Sequence, residues 1–306
     1  MNLHEDKYIF QQVLEDTAVY MRLPNAGVAE KDYFVTLMLK KINDKIPGVI
    51  LKGGTSLSKC YKAINRFSED IDLDMETEAA KLSEGWRKKL KQDIVSIIEE
   101  LSFVLVNPDQ IRSRRDFNRY VVDFKSEFLH PYLKHYLIIE TALQIKSFPT
   151  VVMDAGSYVY DFLMANNAES EIGKYGLGPF KVIVQSIKRT FIDKVFAIAD
   201  YYLDGSIEAH SRHNYDLYKL YPMVEFDETF KWLAAKVREA RKPHVTCHSA
   251  QGDVDVPELL QKIVHEKFYK SDYDRNTATL LFETVPYTEA ITVISRIVSD
   301  GCFSIK

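Results

Sequence analysis

Gly53-Gly54-Thr55-Ser56, followed after a short connection by Asp70-Ile71-Asp72-Leu73-Asp74, is the stretch whose residue types and spacing can do chemistry. Glycines let backbone N–H groups approach an anion closely, and a helix starting there adds the positive end of its dipole. Thr55 or Ser56 can add a hydroxyl. On an extended strand residues two apart share a face, so Asp70 and Asp72 project together. Two carboxylates held that close repel unless they share a proton or a cation. Magnesium takes oxygen ligands and bridges substrate phosphates. Two such ions about 3.5–4 Å apart can activate an attacking hydroxyl and support a leaving pyrophosphate. Turn and acids together describe nucleotidyl transfer from a nucleoside triphosphate. No Gly-Lys-Ser/Thr ending follows the glycines, so this is not a Walker A loop.

Further residues extend the candidate site. Asp74 continues the alternation and is a secondary candidate ligand. Glu140 sits inside the apolar run 136–145, where a lone charge is costly unless paired or metal-bound. It is expected to join Asp70 and Asp72 as the third metal-binding acid. The densest basic run, 111–120, holds Arg112, Arg114 and Arg115, with Phe117 and Tyr120 as aromatic neighbours. Arginines bind phosphates and aromatic rings stack on unpaired bases, as an RNA end requires. A charged hairpin loop accounts for the run equally well. His244, Cys247 and His248 lack the paired ligand spacing of a zinc site.

The elements that must position these residues read as follows. Apolar residues recur at helical spacing over 5–20 and 30–42. After Pro47-Gly48, the run 49–51 reads as a buried strand opening into the glycine turn, and 56–64 returns to helical spacing. Residues 70–75 alternate as a strand, 77–101 reads as a charged helix, and 103–106, 120–124 and 136–145 read as further strands. Breakers concentrate over 172–179, and helical periodicity dominates after Ser186. The expected division is therefore 1–176, an α/β lobe with a mixed sheet, and 177–306, a helical C-terminal domain.

Composition bounds the partners. The 306 residues, 46% hydrophobic, suffice for one large core or two modest ones. A net charge of -4 excludes wholesale electrostatic binding of nucleic acid, so any such surface is local. Three widely spaced cysteines, Cys60, Cys247 and Cys302, suit a reducing compartment better than a disulfide framework. The acidic start is unlike a signal peptide, and no apolar run reaches the roughly 18 residues of a membrane span. The expected location is the cytoplasm.

The runs EKDYFVTLMLKKI, LKGGTSLSKCYKAINRFSEDIDLDM, LIIETALQI, RTFIDKVFAIADYYL and SRHNYDLYKL, in this order, resemble the nucleotidyl transferase AbiEii/AbiGii toxin family. The segment DYDRNTATLLFETVPYTEAITVI resembles that family's C-terminal end. The resemblance implies a polymerase-β-like nucleotidyltransferase fold and the toxin role in a type IV toxin–antitoxin or abortive-infection pair. It implies that Gly54 and Ser56 belong to the phosphate turn and Asp70 and Asp72 to the metal pair. Lys194 and Asp216 match the family's later lysine and aspartate; a lysine can neutralise triphosphate charge, and the aspartate can act as a base or orient that lysine. Asp193 stands where many members carry glutamate. The expected acceptor is RNA, with the tRNA 3′ end foremost, and the expected partner is an antitoxin, a DNA-binding repressor acting without a stable complex. Transfer to a protein side chain or small molecule, and a non-catalytic nucleotide-binding module, are the alternatives.

Overall fold

The computed structural model describes residues 1–128 and 134–304. The chain forms two compact units: Met1–Cys60 with Phe67–Val184, and Tyr61–Arg66 with Gln185–Lys306.

The first unit is built on a seven-stranded mixed sheet in the order β3-β4-β5-β2-β1-β7-β6. Its strands are β1 (Val49–Lys52), β2 (Asp70–Met75), β3 (Val104–Leu105), β4 (Phe117–Asp123), β5 (Tyr136–Ala142), β6 (Thr150–Ala155) and β7 (Phe180–Gln185). β1 runs antiparallel to β2 and parallel to β7, while β2 runs parallel to β5 and β5 antiparallel to β4. The helix α1 (Lys7–Met21) and the long helix α2 (Ala26–Lys45) carry much of the core. The Asn25 side chain caps α2 by accepting the Val28 N–H at 3.3 Å. Val28, Tyr33, Phe34, Val35, Met38, Leu39 and Ile42 of α2 are all buried. Phe10, Tyr33, Phe34, Phe103 and Phe124 interlock with ring centroids 4.8–6.4 Å apart. α3 (Gly53–Lys59) follows β1 directly, and α4 (Glu84–Glu100) starts at Ser83, whose hydroxyl accepts the Trp86 N–H. α5 (Tyr158–Ala165) and α6 (Glu169–Tyr175) lie between β6 and β7.

The second unit is helical, with α7 (Ile187–Leu203) buried along most of its length, including Phe191, Ile192, Val195, Phe196 and Ile198. Around it lie α8 (Arg212–Leu220), α9 (Glu228–Arg241), α10 (Val256–Glu266) and the closing helix Thr292–Ser299. Ser186, Asp227 and Asp255 cap α7, α9 and α10 through their side-chain oxygens.

The mixed sheet and helical C-terminal part agree with the sequence expectation. Two strands, β6 and β7, were not expected. β7 extends the sheet beside β1, so the observed division at Val184 falls one strand beyond position 176. The helix expected over 56–64 stops at Lys59; Lys62 has φ +50°, outside the helical region, and Asn65 and Arg66 are held by groups arriving late in the chain. The Asn65 N–H donates to the Tyr215 hydroxyl at 3.0 Å, the Phe282 N–H donates to the Asn65 carbonyl at 3.0 Å, and Arg66 bridges Leu281.

Candidate active site

In the first unit the site begins with a sheet register. Lys52 on β1 stands opposite Asp72 on β2, Asp72 opposite Glu140 on β5, and Glu140 opposite Arg119 on β4. Opposed residues share a face, so four neighbouring strands carry one row of side chains with charges plus, minus, minus, plus. Asp70, two residues before Asp72, adds a third carboxylate to the same face. Glu140 Oε1 accepts from Arg119 Nε at 3.2 Å, and Lys52 Nζ donates to the Ala142 carbonyl at 3.1 Å. The sequence reading missed Lys52 and Arg119 as members of this row. Only the pairing of strands nearly seventy residues apart sets them beside the acids.

The glycine turn lies directly against this row. Gly53 has φ +71°, and a Cβ there would fall 2.0 Å from Asp72 Oδ2. The position therefore requires glycine twice, for its left-handed backbone and for the close approach of turn to carboxylate. Thr55 and Ser56 are fully buried. The Thr55 hydroxyl donates to the Asp70 carbonyl, and the Ser56 hydroxyl donates to the Gly53 carbonyl at 2.8 Å. Both hydroxyls thus shape the turn and the start of β2, a different use from the phosphate contact that their position suggests. At the far end of α3, Lys59 is buried and donates to Asp32 Oδ1 and Thr36 Oγ1, each at 2.6 Å, pinning the helix to α2.

Asp74 is not part of the open row's chemistry. It is buried, accepting the Ser147 N–H at 2.6 Å on Oδ2 and the Met75 N–H at 2.7 Å on Oδ1. Its role is to fasten the 147 loop, which removes it as a ligand candidate.

The donor set is that of a hard divalent cation. Asp70 and Asp72 offer carboxylate oxygens on one face, beside a turn kept free of any Cβ, which suits magnesium with substrate phosphates and water completing the shell. Glu140 is engaged by Arg119, and among the described residues no three His, Cys, Asp or Glu side chains are gathered into a closed cage. A cavity of about 360 Å³ in the same unit, lined by Tyr33, Lys40, Lys41, Lys174 and Tyr175 among others, includes none of these residues.

The second unit contains Lys194 and Asp216. Asp216 on α8 is fully buried and receives Arg66 Nε on Oδ1 at 2.6 Å, Arg66 Nη2 on Oδ2 at 2.7 Å, and Lys194 Nζ on Oδ2 at 2.5 Å. Burial pushes the Asp216 carboxyl up, but Arg66 and Lys194 more than reverse this and hold it well below the usual carboxylate range. An anion so stabilised is unsuited to general-base work, which leaves the orienting role among those the sequence raised. Burial pulls the Lys194 ammonium down, against the opposing effect of Asp216. Burial, with Lys194 and Arg212 nearby, also keeps His213 well below its ordinary range and hence neutral. Arg66 was missed from sequence because it reads as part of a linker.

In the basic run, Arg112, Arg114 and Arg115 are exposed, and Arg114 pairs with Glu84 at 3.2 Å. The Asn118 side chain braces the Arg112 backbone at both N–H and C=O. Phe117 is 41% exposed, whereas Tyr120 is fully buried, so Tyr120 is unavailable to stack on a base. Strand alternation in β4 turns it inward.

A mixed sheet carrying a glycine turn against an Asp-x-Asp strand, followed by helices, is the architecture of a nucleotidyltransferase. The family model "Nucleotidyl transferase AbiEii toxin, Type IV TA system" matches residues 39–292, and the chain belongs to this family. It is a nucleotidyltransferase toxin of a type IV toxin–antitoxin system, with a nucleoside triphosphate substrate and an antitoxin counterpart. Its fold is similar to that of MenT4, a nucleotidyltransferase toxin from Mycobacterium tuberculosis H37Rv, with TM-score 0.56 at 18% identity over 90% of this chain and 84% of that one. A search of curated proteins finds no match. Among the described residues no helix is long and apolar enough to cross a membrane.

Proposed function

We propose that this protein transfers a nucleoside monophosphate from a nucleoside triphosphate to a hydroxyl of RNA, with the 3′ end of tRNA as the acceptor, in the cytoplasm. The observation that carries the reading is the Gly53 turn pressed against Asp72 within a row of carboxylates. Asp70 and Asp72 hold divalent cations, magnesium by donor chemistry, and Glu140 joins them on leaving Arg119. The ions supply charge neutralisation of the triphosphate and of the departing pyrophosphate. The backbone of Gly53, Gly54, Thr55 and Ser56 faces the phosphates, and Lys194, oriented by Asp216, neutralises phosphate charge. Arg112, Arg114 and Arg115 meet the RNA backbone. The antitoxin acts as a DNA-binding repressor without a stable complex with this chain.

The test incubates the protein with magnesium, each of four α-labelled nucleoside triphosphates, and total RNA beside total protein. Label is expected in small RNA, lost in Asp70→Ala and Asp72→Ala, and lost on charge reversal of Arg112, Arg114 and Arg115. Label in protein that survives this charge reversal redirects the reading to a protein acceptor. Toxicity persisting in the double aspartate variant points to a non-catalytic module.

A further inference from the structure

Two adjacent charged residues of α2, Lys31 and Asp32, are buried inside the first unit. Both precede residue 39, where the family match begins. Consecutive helix positions diverge by about 100°, so the two side chains leave α2 in different directions. The Lys31 ammonium donates to Glu69 Oε2 and, at 2.8 Å, to the Lys134 carbonyl, and it stands 5.7 and 5.9 Å from the ring centres of Phe67 and Tyr136. Glu69 is the residue immediately before Asp70. Asp32 Oδ1 accepts Lys59 Nζ at 2.6 Å, and Oδ2 accepts the Tyr158 N–H at 2.8 Å. Lys59 is the last residue of α3, the helix that opens with Gly53.

α2 therefore grips both halves of the candidate site, the acid strand through Lys31 and the glycine turn through Asp32. Thr55 closes the circuit, since its hydroxyl joins α3 to the Asp70 carbonyl. Burying ions carries a desolvation cost that apolar residues of similar volume avoid, so charge is an inefficient way merely to hold a helix on a sheet. Val28, Val35, Leu39 and Ile42 of the same helix are buried and serve that purpose. Hydrogen-bonded charges add direction, specifying distance and angle where apolar contact does not. Here that constraint falls on the residue next to Asp70 and on the end of the helix behind Gly53.

We propose that Lys31 and Asp32 are positioning residues for the nucleotidyl transfer. Lys31, through Glu69, sets Asp70 for the divalent cation, and Asp32, through Lys59, sets the glycine turn for the triphosphate. The inference rests on the reading of Asp70 as a metal ligand and of the turn as a phosphate site. Residues that orient a metal ligand from outside are worth about 10–100-fold in metal affinity, which sets the scale of the first arm.

Two constants measured on the whole chain test it. One is the dissociation constant of Mn2+ alone, a stand-in for magnesium at oxygen ligands, from electron paramagnetic resonance of the free ion. The other is KM for the accepted nucleotide at saturating magnesium. Lys31→Met and Glu69→Gln are each expected to weaken Mn2+ binding about tenfold, with a smaller change in KM. The Lys31→Met/Glu69→Gln double variant is expected to add less than about twofold to either single one, because both act through one contact. Lys59→Met and Asp32→Asn are expected to raise KM about fivefold or more and to keep Mn2+ affinity within about twofold of native. Lowered thermal stability with both constants native is the signature of a purely structural role and overturns the proposal, as do equal shifts of both constants in both arms. Where Lys31→Met or Lys59→Met does not fold, Glu69→Gln and Asp32→Asn decide. Native Mn2+ affinity in Asp70→Ala, or native KM in Gly53→Ala, instead overturns the underlying reading of the ligand or of the turn.

Discussion

Replacing Gly53 by alanine isolates the contact on which the site is built. The added Cβ would sit 2.0 Å from Asp72 Oδ2 and 3.0 Å from its Cγ. Ordinary heavy-atom contacts lie at about 3.5 Å, so the carboxylate must retreat by more than about 1 Å. It can do so by rotating, since the clash is with the end of a side chain, and the stability loss is then mainly that of a left-handed alanine, about 1–2 kcal/mol. Activity should suffer far more, because a reacting group displaced by about 1 Å can cost around 100-fold in rate. Gly176 provides the control, with φ +63° and nothing within 4 Å of its virtual Cβ. Gly176→Ala should lose comparable stability and keep native activity. Thermal unfolding and nucleotide incorporation measured on both variants give the comparison. Gly53→Ala with native incorporation would refute the idea that the turn positions Asp72.

Asp216→Asn strands Arg66 and Lys194 without their counter-charge and should destabilise the fold by about 3–5 kcal/mol at neutral pH, read from denaturant midpoints. Because the folded Asp216 carboxyl is depressed, its contribution is present above the unfolded value of about 3.9 and fades as pH falls toward the folded one. The stability gap between native protein and variant should therefore narrow below about pH 4, and a gap independent of pH contradicts the ion-pair account. Glu140→Gln weakens a partly exposed pair with Arg119, so stability should change by less than about 1 kcal/mol. The magnesium concentration for half-maximal activity should nevertheless rise several-fold; an unchanged magnesium requirement removes Glu140 from the ligand set.

The elements that carry the candidate site were legible because their signals are local. The period-two alternation of residues 70–75 could only place Asp70 and Asp72 on one face, and the observed strand has those bounds. The apolar run before Gly53 and the breakers around it marked a strand opening into a turn, and α2 followed from its apolar periodicity. What local pattern cannot contain is register and distant pairing. Asp74 repeats the spacing of its neighbours, yet burial beneath the 147 loop gave it a structural task. Lys52 and Arg119 look like ordinary surface cations until strands β1, β2, β5 and β4 align them with the acids. Arg66 reads as linker, and its partner lies 150 residues away. The sequence by itself determined the candidate residues and the local elements that carry them, since side-chain type and short spacing are written in order along the chain. Tertiary structure alone decided which charges face them, because electrostatic partnership depends on separation in space.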